Sequence, residues 1–266
     1  MLIGRIEKKF ESLRVKNEKA LIVYLTAGDP SLEITKKLIG GLEKAGVDIL
    51  EIGVPFSDPT ADGPVIQEAS QRALKAGTTL AGVLKLVAEV RKVSEIPIIL
   101  FGYFNPIFAY GVKKFANAAH KAGVDGVLVV DLPYEEANEL RTHTDAAGID
   151  FISLIAPTTD TERLNKIAAK ASGFIYYISI TGITGTAAPK ITNIKNEVGK
   201  IRRITSLPVA VGFGISKPQQ AKEISRLADG VVIGSAVVRL IDENKNSRDL
   251  VRIVSDYVSG IKKVLR

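Results

Sequence analysis

A chain of 266 residues that is 46% hydrophobic and 24% charged has the make-up of a folded globular protein, with neither the low apolar content nor the extreme charge of a disordered one. It has no cysteine, which excludes disulfide frameworks, Cys-ligated zinc, iron–sulfur clusters and a Cys nucleophile. The net charge of +7 is scattered in pairs such as Lys113-Lys114, Arg202-Arg203 and Lys262-Lys263, with no basic stripe interleaved with aromatics, so nucleic acid is not an expected partner, whereas a phosphorylated metabolite is.

The chain opens with MLIGRIEKKFESLR, in which Leu2, Ile3, Ile6, Phe10 and Leu13 fall at helical spacing. This predicts a short amphipathic helix and not a signal peptide. Eight short apolar runs follow: residues 20–28, 48–54, 96–104, 126–133, 150–157, 173–180, 207–214 and 229–236. Each is too short for a helix and too continuously apolar for a half-exposed strand, which is the pattern of parallel strands covered on both faces. The stretches between them read as helices. SLEITKKLIGGLEKAG carries Ile34, Leu38, Leu42 and Ala45 as one stripe, and PYEEANELRTHTDAAG runs from a proline to a glycine.

One string repeats. Ala45-Gly46-Val47-Asp48 returns as Ala122-Gly123-Val124-Asp125 and as Ala147-Gly148-Ile149-Asp150, with a looser copy at Leu227-Ala228-Asp229-Gly230. In each full copy the glycine ends a helix in the left-handed conformation before the next strand begins. Eight strand–helix units with right-handed crossovers close into a (β/α)8 TIM barrel, here with an extra N-terminal helix and as a single domain spanning residues 1–266. An open doubly wound sheet is the alternative, but no GxGxxG follows the first strand. No apolar run approaches the ~20 residues that cross a bilayer, and a cytoplasmic location is expected, with no membrane partner.

A barrel of this kind works at the C-terminal ends of its strands. No lysine stands at those ends, so a Schiff-base nucleophile is missing. His120 and His143 fall in outer helices and suit capping or solvated roles, and no metal site is expected. Carboxylates remain. In Ile49-Leu50-Glu51-Ile52-Gly53, period-two alternation sends Leu50 and Ile52 under the helices and Glu51 into the barrel mouth. A carboxylate held out of water there has its pKa raised into a range useful for proton transfer, unless a cation pairs with it. Asp62, in the loop 54–64 just beyond, is able to fold back over the same mouth or to serve as a turn residue. Asp58 suits a turn or interface, and Asp131 a structural cap.

Three glycine sets stand at consecutive strand ends: Thr184-Gly185, Gly212-Phe213-Gly214 and Gly234-Ser235. Backbone N–H groups and a helix start after Gly234 would make an anion seat; plain turn glycines are the alternative. Tyr24, Phe101, Tyr103, Tyr176 and Phe213 near the same face suit a flat apolar ligand, or core packing alone. The loop 181–193, rich in Gly, Thr and Ala, reads as a lid over the site or an ordinary surface loop.

The strings LEIGVPFSDPTADGP (50–64), YLTAGDP (24–30), YFNPIFAYG (103–111), VDGVLVVDLP (124–133), TGITG (181–185), VGFGIS (211–216) and VVIGSAVV (231–238) closely resemble the tryptophan synthase α subunit family along essentially the whole chain. The resemblance implies a lyase that cleaves indole-3-glycerol phosphate to indole and glyceraldehyde 3-phosphate, a retro-aldol reaction without metal or cofactor in this chain. It implies Glu51 as the general acid–base, Asp62 as the holder of the indole N–H, and Thr184 as part of the lid. It also implies phosphate contacts from Gly185, Gly214, Gly234 and Ser235. An α2β2 complex follows from it, passing indole to a pyridoxal-phosphate β subunit, with Asp58, Pro59, Asn105 and Pro133 on the contact face. Thr60 departs from the larger aliphatic residue of many members, and Ile180 from a basic residue of some. A non-catalytic barrel that activates a β partner, and another phosphate-binding isomerase or epimerase, are the competing readings.

Overall fold

The computed structural model describes residues 3–178, 191–212 and 214–266. All eight apolar runs form strands, and every pairing between them is parallel. The first four are β1 (Ala20–Thr26), β2 (Ile49–Gly53), β3 (Ile98–Gly102) and β4 (Gly126–Val129). The fifth run is divided into β5 (Asp150–Phe151) and β6 (Ser153–Ile155), followed by β7 (Ile175–Ile178), β8 (Val209–Gly212) and β9 (Gly230–Ile233). The sheet order β5-β4-β3-β2-β1-β9-β8-β7-β6 begins and ends on the two halves of one run. Ile152 joins these halves, and its N–H still reaches the Val127 carbonyl at 2.9 Å. The chain itself therefore closes the ring, and the fold is the expected (β/α)8 barrel.

Alternation divides each strand between two cores. Leu21, Val23, Leu25, Leu50, Ile52, Ile98 and Leu100 face outward into the layer beneath the helices. Ile22, Ile49, Ile99, Leu128, Phe174 and Val232 face inward and fill the barrel interior. The N-terminal helix α1 (Arg5–Val15) plugs the bottom of that interior with Ile6, Phe10 and Leu13, Phe10 lying 5.7 Å from Phe174 between ring centres. Each such burial contributes about 1.5–3 kcal/mol. Of the five apolar residues expected on this helix face, Ile3 lies outside the helix and is exposed, and Leu2 is outside the described residues.

The repeat does two jobs. Gly46, Gly123 and Gly148 each adopt positive φ (97°, 86° and 68°), as expected of helix-ending glycines. The aspartates that follow staple neighbouring strands. Asp48 accepts the Leu21 N–H (2.8 Å), Asp125 that of Ile98 (2.8 Å), and Asp229 in the looser copy that of Val209 (3.0 Å).

Helix α2 (Leu32–Lys44) is capped by the Ser31 hydroxyl and buries Thr35, Leu38, Ile39 and Leu42. The stripe is thus rotated slightly from the expected one, leaving Ile34 and Ala45 half-buried. Helix α3 (Pro64–Lys75) and α4 (Leu80–Arg91) both lie between β2 and β3, and α5 (Phe104–Tyr110) and α6 (Val112–Ala122) both lie between β3 and β4. Helix α7 (Asn138–Ala146) starts later than the proline-led pattern suggested. The bonds Glu136 N to Pro133 O and Ala137 N to Tyr134 O hold residues 133–137 in turns instead. Then come α8 (Thr161–Ala168), α9 (Ile191–Ile204) and α10 (Pro218–Ser225). Two helices again follow β9: α11 (Ser235–Asn244) and α12 (Leu250–Lys262). Residues 191–193 of the expected lid belong to α9, and the rest of that segment lies outside the described residues.

Candidate active site

Glu51 stands at the centre of β2, paired in register with Tyr24 of β1 and Ile99 of β3. Because Leu50 and Ile52 turn outward, Glu51 turns into the barrel above Ile49. It is 1% exposed, and its Oε1 has no hydrogen-bond partner among the described residues. Burial without a compensating cation pushes its carboxyl up to about 8, so the group holds its proton at neutral pH. A purely structural glutamate would be paired; among the described residues Oε1 of this one is not.

Asp62 is brought over the same mouth by the loop after β2. Two tight bonds, Thr60 N to Asp58 O (2.9 Å) and Asp62 N to Pro59 O (3.0 Å), fold the loop back. The Tyr103 hydroxyl then fastens it, donating to Asp62 Oδ2 at 3.0 Å and accepting the Ala61 N–H at 3.0 Å. Gln67, one turn into α3, donates to the Asp62 carbonyl at 2.8 Å. Half-buried, Asp62 has its carboxyl raised to about 6 by desolvation, with the Tyr103 hydrogen bond pulling the other way. Asp131 completes the chain of support. Its Oδ1 accepts the Phe104 N–H at 2.8 Å, capping α5 beside Tyr103, which is the structural role its position suggested.

The aromatic residues do not all act alike. Tyr24 lies over Gly53, where a Cβ would sit 2.1 Å from its hydroxyl oxygen, and Tyr176 lies over Gly212 in the same way at 2.5 Å. These two glycines are seats for tyrosine rings at the barrel mouth. Phe101 meets Tyr24 edge-on, 5.2 Å between ring centres. Desolvation pushes the Tyr24 hydroxyl well up, and the charges of Asp62 and Glu51 add to that shift, so Tyr24 lies within the field of both carboxylates. Tyr103 is buried against Phe56 and occupied with Asp62, so its position serves the loop first.

On the other flank of β1, at the end of β9, Gly234 half-faces solvent and Ser235 opens α11, a helix start that no side chain caps among the described residues. The Val237 and Val238 N–H groups bond back to the Gly234 carbonyl, so Ser235 and Ala236 contribute the first-turn amides that a helix start leaves without a partner in its own ladder. Gly214, exposed and at φ +48°, follows β8. Thr184, Gly185, Phe213 and Ile180 lie outside the described residues. Of the residues expected on a contact face, Asp58, Asn105 and Pro133 are exposed and Pro59 half-buried. Thr60 is exposed at the loop tip.

The family model described as "Tryptophan synthase alpha chain" matches residues 10–265. The chain belongs to the tryptophan synthase alpha chain family. That is a family of lyases which carry out the alpha reaction of tryptophan biosynthesis, cleaving indole-3-glycerol phosphate to indole and glyceraldehyde 3-phosphate. The tryptophan synthase alpha chain of Geotalea daltonii is 53% identical over 260 residues, covering 98% of each chain. The solved alpha subunit of Legionella pneumophila is 39% identical with a TM-score of 0.93, covering 99% of both chains. A chain of the tryptophan synthase complex from Pyrococcus furiosus is 39% identical with a TM-score of 0.83, covering 92% of this chain and 98% of that one.

Family motifs point to both carboxylates, but not to three of the supports around them. Gly53 and Gly212 as ring seats have a sequence signal, a glycine at an inward-facing strand position. The fastening of Asp62 by Tyr103 had none, since the two are 41 residues apart. The same holds for Arg72, which bridges Asp29 and Asp242.

Proposed function

We propose that Glu51 and Asp62 carry the family's reaction in this chain. The observation behind this reading is the buried Glu51 carboxyl, whose Oε1 has no partner among the described residues, under a loop that delivers a second carboxyl to the same mouth. Cleavage requires a proton at the indole ring carbon that bears the glycerol phosphate chain, and Glu51 reaches neutral pH with one to give. Protonation leaves positive charge on the ring nitrogen. Asp62, ionised above about pH 6, accepts the indole N–H and holds that charge. The carbon–carbon bond then breaks as the adjacent hydroxyl surrenders its proton to the emptied Glu51 carboxylate. The products are indole and an aldehyde, with no net change in protons. Tyr24, Phe101 and Tyr176 flank the flat ring. Gly234, Ser235 and Gly214, with Gly185 and Thr184 from the preceding loop, bind the phosphate end through backbone amides.

The chemistry asks for no cofactor in this chain. The reading includes a β subunit as partner, in an α2β2 complex whose β chain holds pyridoxal phosphate and receives the indole, and a cytoplasmic setting for that pathway. The contact face is the one with Asp58, Pro59, Asn105 and Pro133. Phe108 on α5, 60% exposed, adds an apolar anchor beside Asn105. No helix of the described residues is long and apolar enough to cross a membrane. The test is indole release from indole-3-glycerol phosphate by the purified chain, alone and with a β subunit. Release that increases with the β subunit is expected; its absence in both conditions refutes the assignment of Glu51 and Asp62.

A further inference from the structure

Asp29, in the loop between β1 and α2, is 2% exposed. A carboxylate so deeply buried needs a fixed partner, and Arg72 of α3 supplies it with a forked pair of bonds, Nε to Oδ1 and Nη2 to Oδ2, each 2.8 Å. The remaining arm of the guanidinium reaches further. Nη1 lies 3.2 Å from Asp242 Oδ1 on α11.

The two helices so joined are the additional ones in their units. Strands β2 and β9 are each followed by two helices, and α3 and α11 come first, packing on each other through Ala69 and Val238 above Tyr24. Each leads directly from one part of the site. Asp62 precedes the first residue of α3 by two positions, and Gln67 of that helix holds the Asp62 carbonyl; Ser235 is the first residue of α11. With the loop fastened by Tyr103, the separation of α3 and α11 therefore helps set the distance from Asp62 to the amides at Ser235. Among the described residues, the Arg72–Asp242 pair is the ion pair that joins them.

We infer that Arg72 is a positioning residue, setting the separation between the carboxylate that meets the ring end of the substrate and the amides that meet its phosphate end. This rests on the proposed roles of Asp62 and Ser235. A forked guanidinium is suited to it because one planar group serves two carboxylates in fixed directions, whereas a lysine ammonium offers a single rotatable point charge.

Asp242→Asn is the sharper test, because it loosens the arm to α11 and leaves the buried Asp29–Arg72 fork intact; Arg72→Lys is its companion. Steady-state kinetics, titration with inorganic phosphate and thermal melting are measured on both and on the wild type, with Arg252→Ala as an exposed control. In Asp242→Asn, kcat/KM is expected to fall on the order of tenfold, since misplacement of reacting groups by a fraction of an ångström carries losses of that size. Phosphate binding should weaken while the melting temperature holds. A variant with kcat/KM and phosphate affinity within about twofold of wild type overturns the inference. So does a loss of activity that only tracks a loss of melting temperature. A wild type that releases no indole defeats the catalytic reading instead, and the phosphate titration then still decides whether the bridge shapes the anion seat.

Discussion

Replacing Glu51 by Gln separates a carboxyl kept for chemistry from one kept for stability. A structural carboxylate stabilises its fold, and removing it costs stability. Glu51 has the opposite sign. Its folded pKa of about 8 lies above the ordinary 4.5, so between those values the folded protein holds a proton that the unfolded chain has released. Stability then falls as pH rises through that window. The separation, at about 1.4 kcal/mol per unit, amounts to about 5 kcal/mol once the pH passes 8, and to about 3 kcal/mol at pH 7. These are upper figures, because water entering the mouth relieves part of the desolvation. Glutamine keeps the shape and lacks the proton equilibrium. Urea denaturation of wild type and Glu51→Gln should therefore give a stability difference that grows in favour of the variant from pH 5 to pH 8.5, while indole release is abolished. Any cost of burying the amide is independent of pH and moves the offset, not the slope. A difference that stays flat across the range, or one that shifts in favour of wild type with rising pH, would refute the reasoning.

Three further tests address the surroundings of that group. The Tyr103 hydrogen bond holds the Asp62 carboxyl down against desolvation, so Tyr103→Phe should move the acid limb of the kcat/KM profile, expected near pH 6 for wild type, to higher pH; an unmoved limb detaches Asp62 from that limb. Gly53→Ala puts a methyl 2.1 Å from the Tyr24 hydroxyl oxygen, and it should cost about 1–3 kcal/mol in denaturation and reduce indole release, as overpacking does. An alanine variant as stable and active as wild type would show that the tyrosine has no fixed seat. Phe108→Ala and Asp58→Ala change exposed residues, so melting should be unaffected while the β subunit loses much of its ability to stimulate the alpha reaction; full stimulation of both variants would move the contact face elsewhere.

What was legible in the sequence follows from the range over which each physical cause acts. Strand alternation is local, and it sufficed to send Leu50 and Ile52 outward and Glu51 inward. The helix-ending glycines were equally local, because φ belongs to one residue. Asp48, Asp125 and Asp229 of the same repeat were not, since each serves a strand 20 to 27 positions away, and only closure of the ring brings donor and acceptor together. The divided fifth strand is a related case: Ile152 continues an apolar run without a break in pattern, yet the ring needs β5 to pair with β4 and β6 with β7. Function shows the same division. The carboxyl proposed as proton donor could be read from five residues, because its environment is set by the strand that carries it. Its proposed partner Asp62 was ambiguous with a turn residue when read alone and was singled out only by the family motif, because what holds it, Tyr103, is 41 positions away. Substitutions at Glu51 should consequently act on their own, whereas those at Asp62, Tyr103 and Gln67 should be strongly non-additive, because each removes the same loop conformation. A double-mutant cycle on Tyr103→Phe and Gln67→Ala measures this directly. Additive losses in kcat/KM would mean that the two side chains hold separate parts of the loop, and that Asp62 owes its place to neither alone.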